Sequence, residues 1–129
     1  MSHRFAELIS MSEDERRADH SRMSLVVNSD HLNPHGIVHG AVVFALADTG
    51  MGAALYPALG DGQICATIEI KINYFKPVAS GQLVCIAEPL NRGRTVANQE
   101  SKVNLADKLV ATASGNYAVF APRHEAIQE

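Results

Sequence analysis

At 129 residues, 47% apolar and 19% charged, the chain has the make-up of one globular domain, able to bury about two thirds of its unfolded surface. A net charge of −3 and a pI near 6.0 exclude a general nucleic-acid binder, which needs a basic face to displace counterions. The two cysteines, Cys65 and Cys85, are too few for a disulfide scaffold and lack the spacing of a zinc site.

The first residues, Met1-Ser2-His3-Arg4-Phe5, have neither the basic start nor the long apolar stretch of a secretion signal, so a cytoplasmic protein is expected. Residues 1–22 read as a polar N-terminal segment of a single domain spanning 1–129. Within it, Ser12 followed by Glu15 has the form of a capping box and predicts a short exposed helix over 12–20. A first strand follows at 23–28, then a loop at 29–38 broken by Pro34 and Gly36.

One long helix is predicted over 39–57, stopped by Pro57 and Gly60. It falls short of the ~20 apolar residues of a membrane span and carries Asp48 near its middle, which favours a core helix. Beyond it, Ile68, Ile70, Ile72 and Tyr74 alternate with polar residues, predicting a strand over 66–75 with that row facing the core. Strands at 82–90, 94–105 and 108–121 complete an expected four-strand antiparallel meander. A helix apolar on nearly every side must be covered all round, so the fold class is α+β, a curved antiparallel sheet wrapped around one helix. Sheet edges and an outer face remain, and a homodimer is the minimum expectation.

Asp48 is the one formally charged side chain between Asp30 and Asp61. A carboxylate flanked by apolar residues loses hydration on folding, a cost that partners or a function must offset. Gly40 stands at the helix start, where unpaired N–H groups and the helix dipole favour developing negative charge. Eight residues separate the two, about 12 Å along one helix axis, so they cannot reach one carbonyl carbon within a single protomer. If both act, Gly40 of one subunit must meet Asp48 of another.

Other features weigh less. His31, His35 and His39 recur at metal-ligand spacing for a helix, but Pro34 and Gly36 break that helix and no metal is expected. His39 shapes the loop by hydrogen bonding. Arg92-Gly93-Arg94 offers guanidinium groups on a turn for phosphates, with Lys76, Lys102 and Arg123 as further cations.

The ordered set Asn33-Pro34-His35-Gly36-Ile37-Val38-His39-Gly40, Ala45-Leu46-Ala47-Asp48-Thr49 and Asn73-Tyr74-Phe75-Lys76-Pro77 resembles the hotdog-fold acyl-CoA thioesterases of the PaaI-like group. The resemblance implies a helix enclosed by an antiparallel sheet, a dimer or dimer of dimers, and hydrolysis of acyl-CoA without metal or other cofactor. It implies Asp48 as the catalytic carboxylate, the Gly40 N–H as the group polarising the carbonyl, Asn33 as a positioning group and Thr67 as an aid to the attacking water. Ala41 departs from the pattern, since relatives often carry a second glycine there. Two rival readings stand beside it. One is a hotdog enoyl-CoA hydratase using Asp30 and His35; the other is an acyl-CoA binding protein without turnover.

Overall fold

A computed structural model of the chain describes residues 3–122. Its elements are α1 (Arg4–Leu8), β1 (Met11–Arg17), β2 (His20–Val26), α2 (Gly40–Leu55), β3 (Ile64–Tyr74), β4 (Gln82–Arg92), β5 (Val96–Leu105) and β6 (Lys108–Phe120). The strands form one antiparallel sheet in the order β1-β2-β4-β5-β6-β3, and α2 packs against all six. This is the helix-in-sheet architecture that the resemblance implies.

Small residues let the helix lie close to the sheet. Ala47, Gly50 and Ala54 of α2 face Cys85, Ala87, Ala97 and Ala113, and a Cβ on Gly50 would stand 3.1 Å from the Cys85 sulfur. Burial pushes the Cys85 thiol up to about 12, so it packs as a neutral side chain. Leu46, Met51 and Leu55 are fully buried, each contributing about 1.5–3 kcal/mol of apolar burial. Donors from the sheet then fix the middle of the helix: Ser21 Oγ donates to Gly50 O and Gln99 Nε2 to Met51 O (3.0 Å), and Tyr117 OH shares its one proton between Asp48 O (3.0 Å) and Asp48 Oδ1 (2.9 Å).

Three expectations change. Residues 11–17 form strand β1 and not a helix, because pairing with β2 (Met11 opposite Leu25, Arg17 opposite His20) satisfies backbone groups that an exposed helix would leave to local caps. Within the expected meander only β4-β5-β6 is consecutive. Strand β3 lies beside β6, since α2 carries the chain across the whole sheet before β3 begins. The chain then returns, tied by Phe75 N–H to Val110 O (2.7 Å), Val38 N–H to Val78 O (2.8 Å) and Val27 N–H to Gly81 O (2.9 Å). Gly81 sits at φ 103°, a conformation side chains resist.

The row Ile68, Ile70, Ile72, Tyr74 is also interrupted. A β-bulge between Thr67 and Glu69 leaves Ile68 unpaired and 58% exposed, while Ile70 and Ile72 pack on the core. The two sheet edges differ. On β1 every residue after Met11 is exposed and most are charged, a pattern that discourages strand addition, whereas the β3 edge presents Ile68 and Tyr74 with Phe75 just beyond.

Candidate active site

The loop before α2 is built from its own side chains. Asn28 caps a short 3-10 turn at Ser29–His31. His31, 3% exposed, accepts from Asn28 N–H at Nδ1 and therefore carries its proton on Nε2, which donates to Ile9 O at 2.6 Å. Asn33 Oδ1 accepts from the N–H groups of His35 (2.9 Å) and Ile37 (3.2 Å), and Gly36 takes the left-handed conformation that completes the turn. Its oxygen is spent on the loop, so Asn33 has only its amide N–H groups to offer elsewhere.

His39 caps α2, with Nδ1 accepting from Ala41 N–H at 2.9 Å. No group among the described residues accepts the Gly40 N–H. Tyr74 OH donates to Gly40 O (2.8 Å), and its ring lies 3.3 Å from where a Cβ on Gly40 would stand. Gly40 therefore presents a free donor on the wall of a hollow of about 310 Å³ shared with Tyr74, Phe75, Lys76 and Val78.

Asp48 is half-buried on the next turns of the same helix. Its Oδ1 accepts two hydrogen bonds of 2.9 Å, from Thr67 Oγ1 on β3 and from Tyr117 OH on β6. Thr67 and Tyr117 are themselves register partners across the two strands. Tyr117 is 2% exposed, and burial followed by the Asp48 charge raises its phenol well above the ordinary value, so it stays protonated and donates. With Oδ1 doubly occupied, Oδ2 is the oxygen free to take a proton. The carboxylate opens on a cavity of about 420 Å³ whose mixed lining includes Ala53, Tyr56 and Cys65 beside Glu7, Glu13 and Arg16.

The continuous helix keeps Gly40 and Asp48 apart, and they line different hollows. Of the expected site residues, Asp48 and Thr67 meet in one protomer. His39 and Gly40 stand together at the helix start, and Asn33 holds the 33–37 turn of the loop before it. Arg92, Gly93 and Arg94 line a third hollow, of about 320 Å³, beyond the helix C-terminus. Arg92 is committed there, donating to Ala58 O (3.1 Å) and pairing with Asp19 (3.5 Å), whereas Arg94 makes no ion pair among the described residues. Lys102 is exposed on β5, and Arg123 lies outside the described residues.

Tyr117 is the residue that reading the sequence missed. The signal was present but faint: it is the only large side chain in the inward row Ala111, Ala113, Gly115, Tyr117 of β6. Asp30 and His35 are both exposed on the loop, and no hydrogen bond or ion pair joins their side chains, which leaves the hydratase pair unassembled. Among the described residues no three His, Cys, Asp or Glu side chains converge as metal ligands would.

Residues 35–112 match the family model described as the thioesterase superfamily. The chain belongs to the thioesterase superfamily. A relative from Archaeoglobus fulgidus, named only as a candidate esterase, is 33% identical over 103 residues, covering 78% of this chain and 65% of the relative, so the chain spans about two thirds of that protein. Among solved structures, a conserved protein from Pseudomonas aeruginosa superposes with a TM-score of 0.86 at 31% identity, covering 93% of this chain and 96% of that one. A variant of the phenylacetic acid degradation protein PaaI from Thermus thermophilus superposes with a TM-score of 0.84 at 25% identity, covering 90% and 98%. The family match contains Gly40, Asp48 and Thr67 but ends before Tyr117.

Proposed function

We propose that this thioesterase-superfamily protein hydrolyses acyl-CoA thioesters to free acid and coenzyme A, in an oligomer whose sites are shared between protomers. One observation carries the reading: the Asp48 carboxylate, held through one oxygen by Thr67 and Tyr117, faces a cavity with its other oxygen unbonded among the described residues. In this reading Oδ2 takes a proton from water as the water oxygen bonds to the thioester carbon. The partner protomer's Gly40 N–H stabilises the resulting oxyanion. Collapse of the intermediate breaks the C–S bond, and the proton leaves with the coenzyme A thiolate.

The contrast between the two sheet edges supports self-association through β3, which carries Thr67. Thr67 thereby acts on the carboxylate. Asn33 and His39 act by shaping the donor end of the neighbouring helix. With Arg92 engaged, Arg94 on the Gly93 turn is the group for coenzyme A phosphates. Arg94→Glu should raise KM for acyl-CoA several-fold with little change in kcat, as removal of uniform binding does; an unchanged KM places the phosphates elsewhere.

The direct test is release of free thiol from hexanoyl-CoA and phenylacetyl-CoA by the wild-type protein. Steady turnover is expected. Tight binding without thiol release would identify an acyl-CoA carrier instead.

Tyr117→Phe should leave the carboxylate with Thr67 as its one remaining donor among the described residues, at a cost of about 1.5–3 kcal/mol for a hydrogen bond to a charged group. The carboxylate loses one of the two donors that orient it, so kcat should fall several-fold with KM little changed. An unchanged kcat with only a fall in thermal stability would make Tyr117 a packing residue.

A further inference from the structure

We propose that the N-terminal segment, residues 3–23, forms a fixed specificity wall of the Asp48 cavity and restricts it to thioesters of neutral, apolar acyl groups. The inference rests on the thioesterase reading of that site. The family match begins at residue 35, so this wall lies outside the shared stretch. It is nonetheless a large part of the cavity: Ala6, Met11 and Met23 from this segment meet Ala53, Tyr56 and Cys65 from the rest of the chain. A cavity of about 420 Å³ lies within the range that encloses a small organic group.

Charge sets the class of acyl group. The lining carries three carboxylates, Glu7, Glu13 and Asp48, against one guanidinium, Arg16, which is paired with Glu13 at 3.5 Å. Among the described lining residues, an acyl group ending in a carboxylate meets three like charges, with the one guanidinium already paired and His3 engaged through Nδ1 in capping α1. The apolar end formed by Ala6, Met11 and Met23, which are 6%, 6% and 2% exposed, suits a hydrocarbon tail or an aryl ring.

Several bonds make this a wall and not a loose flap. His3 Nδ1 accepts from Ala6 N–H (3.1 Å) to cap α1. The buried His31 holds Ile9 O at 2.6 Å, and Met11 is paired with Leu25 in the sheet. A tail that outgrows the space therefore meets a backbone that cannot swing away, and one methylene too many in such a pocket changes kcat/KM by about 10–200-fold.

The experiment measures thiol release and, by calorimetry, binding of hexanoyl-, decanoyl-, phenylacetyl- and succinyl-CoA. Wild type should favour hexanoyl- and phenylacetyl-CoA over succinyl-CoA by about tenfold or more. Ala6→Leu should lower the decanoyl-to-hexanoyl ratio of kcat/KM by about tenfold, and Met11→Ala should raise it. Met11→Ala only removes atoms, so it decides the matter if Ala6→Leu fails to fold. Equal ratios in wild type and the folded variants, or succinyl-CoA used as well as hexanoyl-CoA, would overturn the proposal. If no ester is hydrolysed, the hydrolase reading fails. Binding that follows the same order and shifts with the variants would still uphold the wall, and binding that ignores them would refute it.

Discussion

Asp48→Asn should cut thiol release from acyl-CoA by about 10²–10⁴-fold, the range expected when a general base is removed. The amide oxygen can still accept from Thr67 Oγ1 and Tyr117 OH, both now 2.9 Å from Oδ1, so the helix and strands keep their anchors. Thermal unfolding and circular dichroism should match wild type. The loss should fall in kcat, because the substitution removes a proton acceptor and leaves the cavity in place. Undiminished turnover would take Asp48 out of the chemistry, and the bonds from Tyr117 and Thr67 would then be structural.

Gly40→Leu should be comparably damaging by a different route. The N–H at the helix start is a backbone group that only proline would delete, but a side chain there would project into the space that a carbonyl must enter. A Cβ alone would lie 3.3 Å from the Tyr74 ring, and the further leucine atoms must displace that ring or fill the hollow. Tyr74 is half exposed and can yield, so the domain should fold. Blocking an oxyanion donor of this kind costs about 10²–10³ in kcat. Activity near wild type in a folded Gly40→Leu protein would show that the carbonyl binds elsewhere.

What could be read from residues alone followed the range of the interactions involved. The helix was legible because His39-Gly40 and Pro57 mark its ends, and Asp48 because a lone charge in an apolar run must be explained. The turns joining β4, β5 and β6 are local and were placed closely. Pairing of β3 with β6 was not, since nothing near residues 64–74 distinguishes β6 from β4 as a neighbour. Tyr117 stayed hidden for the same reason: its bond to Asp48 joins residues far apart in the chain, and a tyrosine in a strand usually signals packing. Ser12 and Glu15 misled because a capping box is a local option that the β1-β2 ladder overrides. The place of the N-terminal segment beside Asp48 depends on that same ladder.

The central claim is that Asp48 and Gly40 act together only across a subunit interface. It is supported by about 12 Å of unbroken helix and by separate hollows, which keep the two groups from sharing one substrate within a protomer. Mixing Asp48→Asn and Gly40→Leu protomers under conditions of subunit exchange tests it most directly. Each mixed dimer would hold one site with an intact Asp48 facing an intact Gly40, so an equimolar mixture of the two inactive proteins should recover roughly a quarter of wild-type thiol release. If mixed dimers form, as a size difference or tag can establish, and the mixture stays as inactive as its components, the shared site is contradicted.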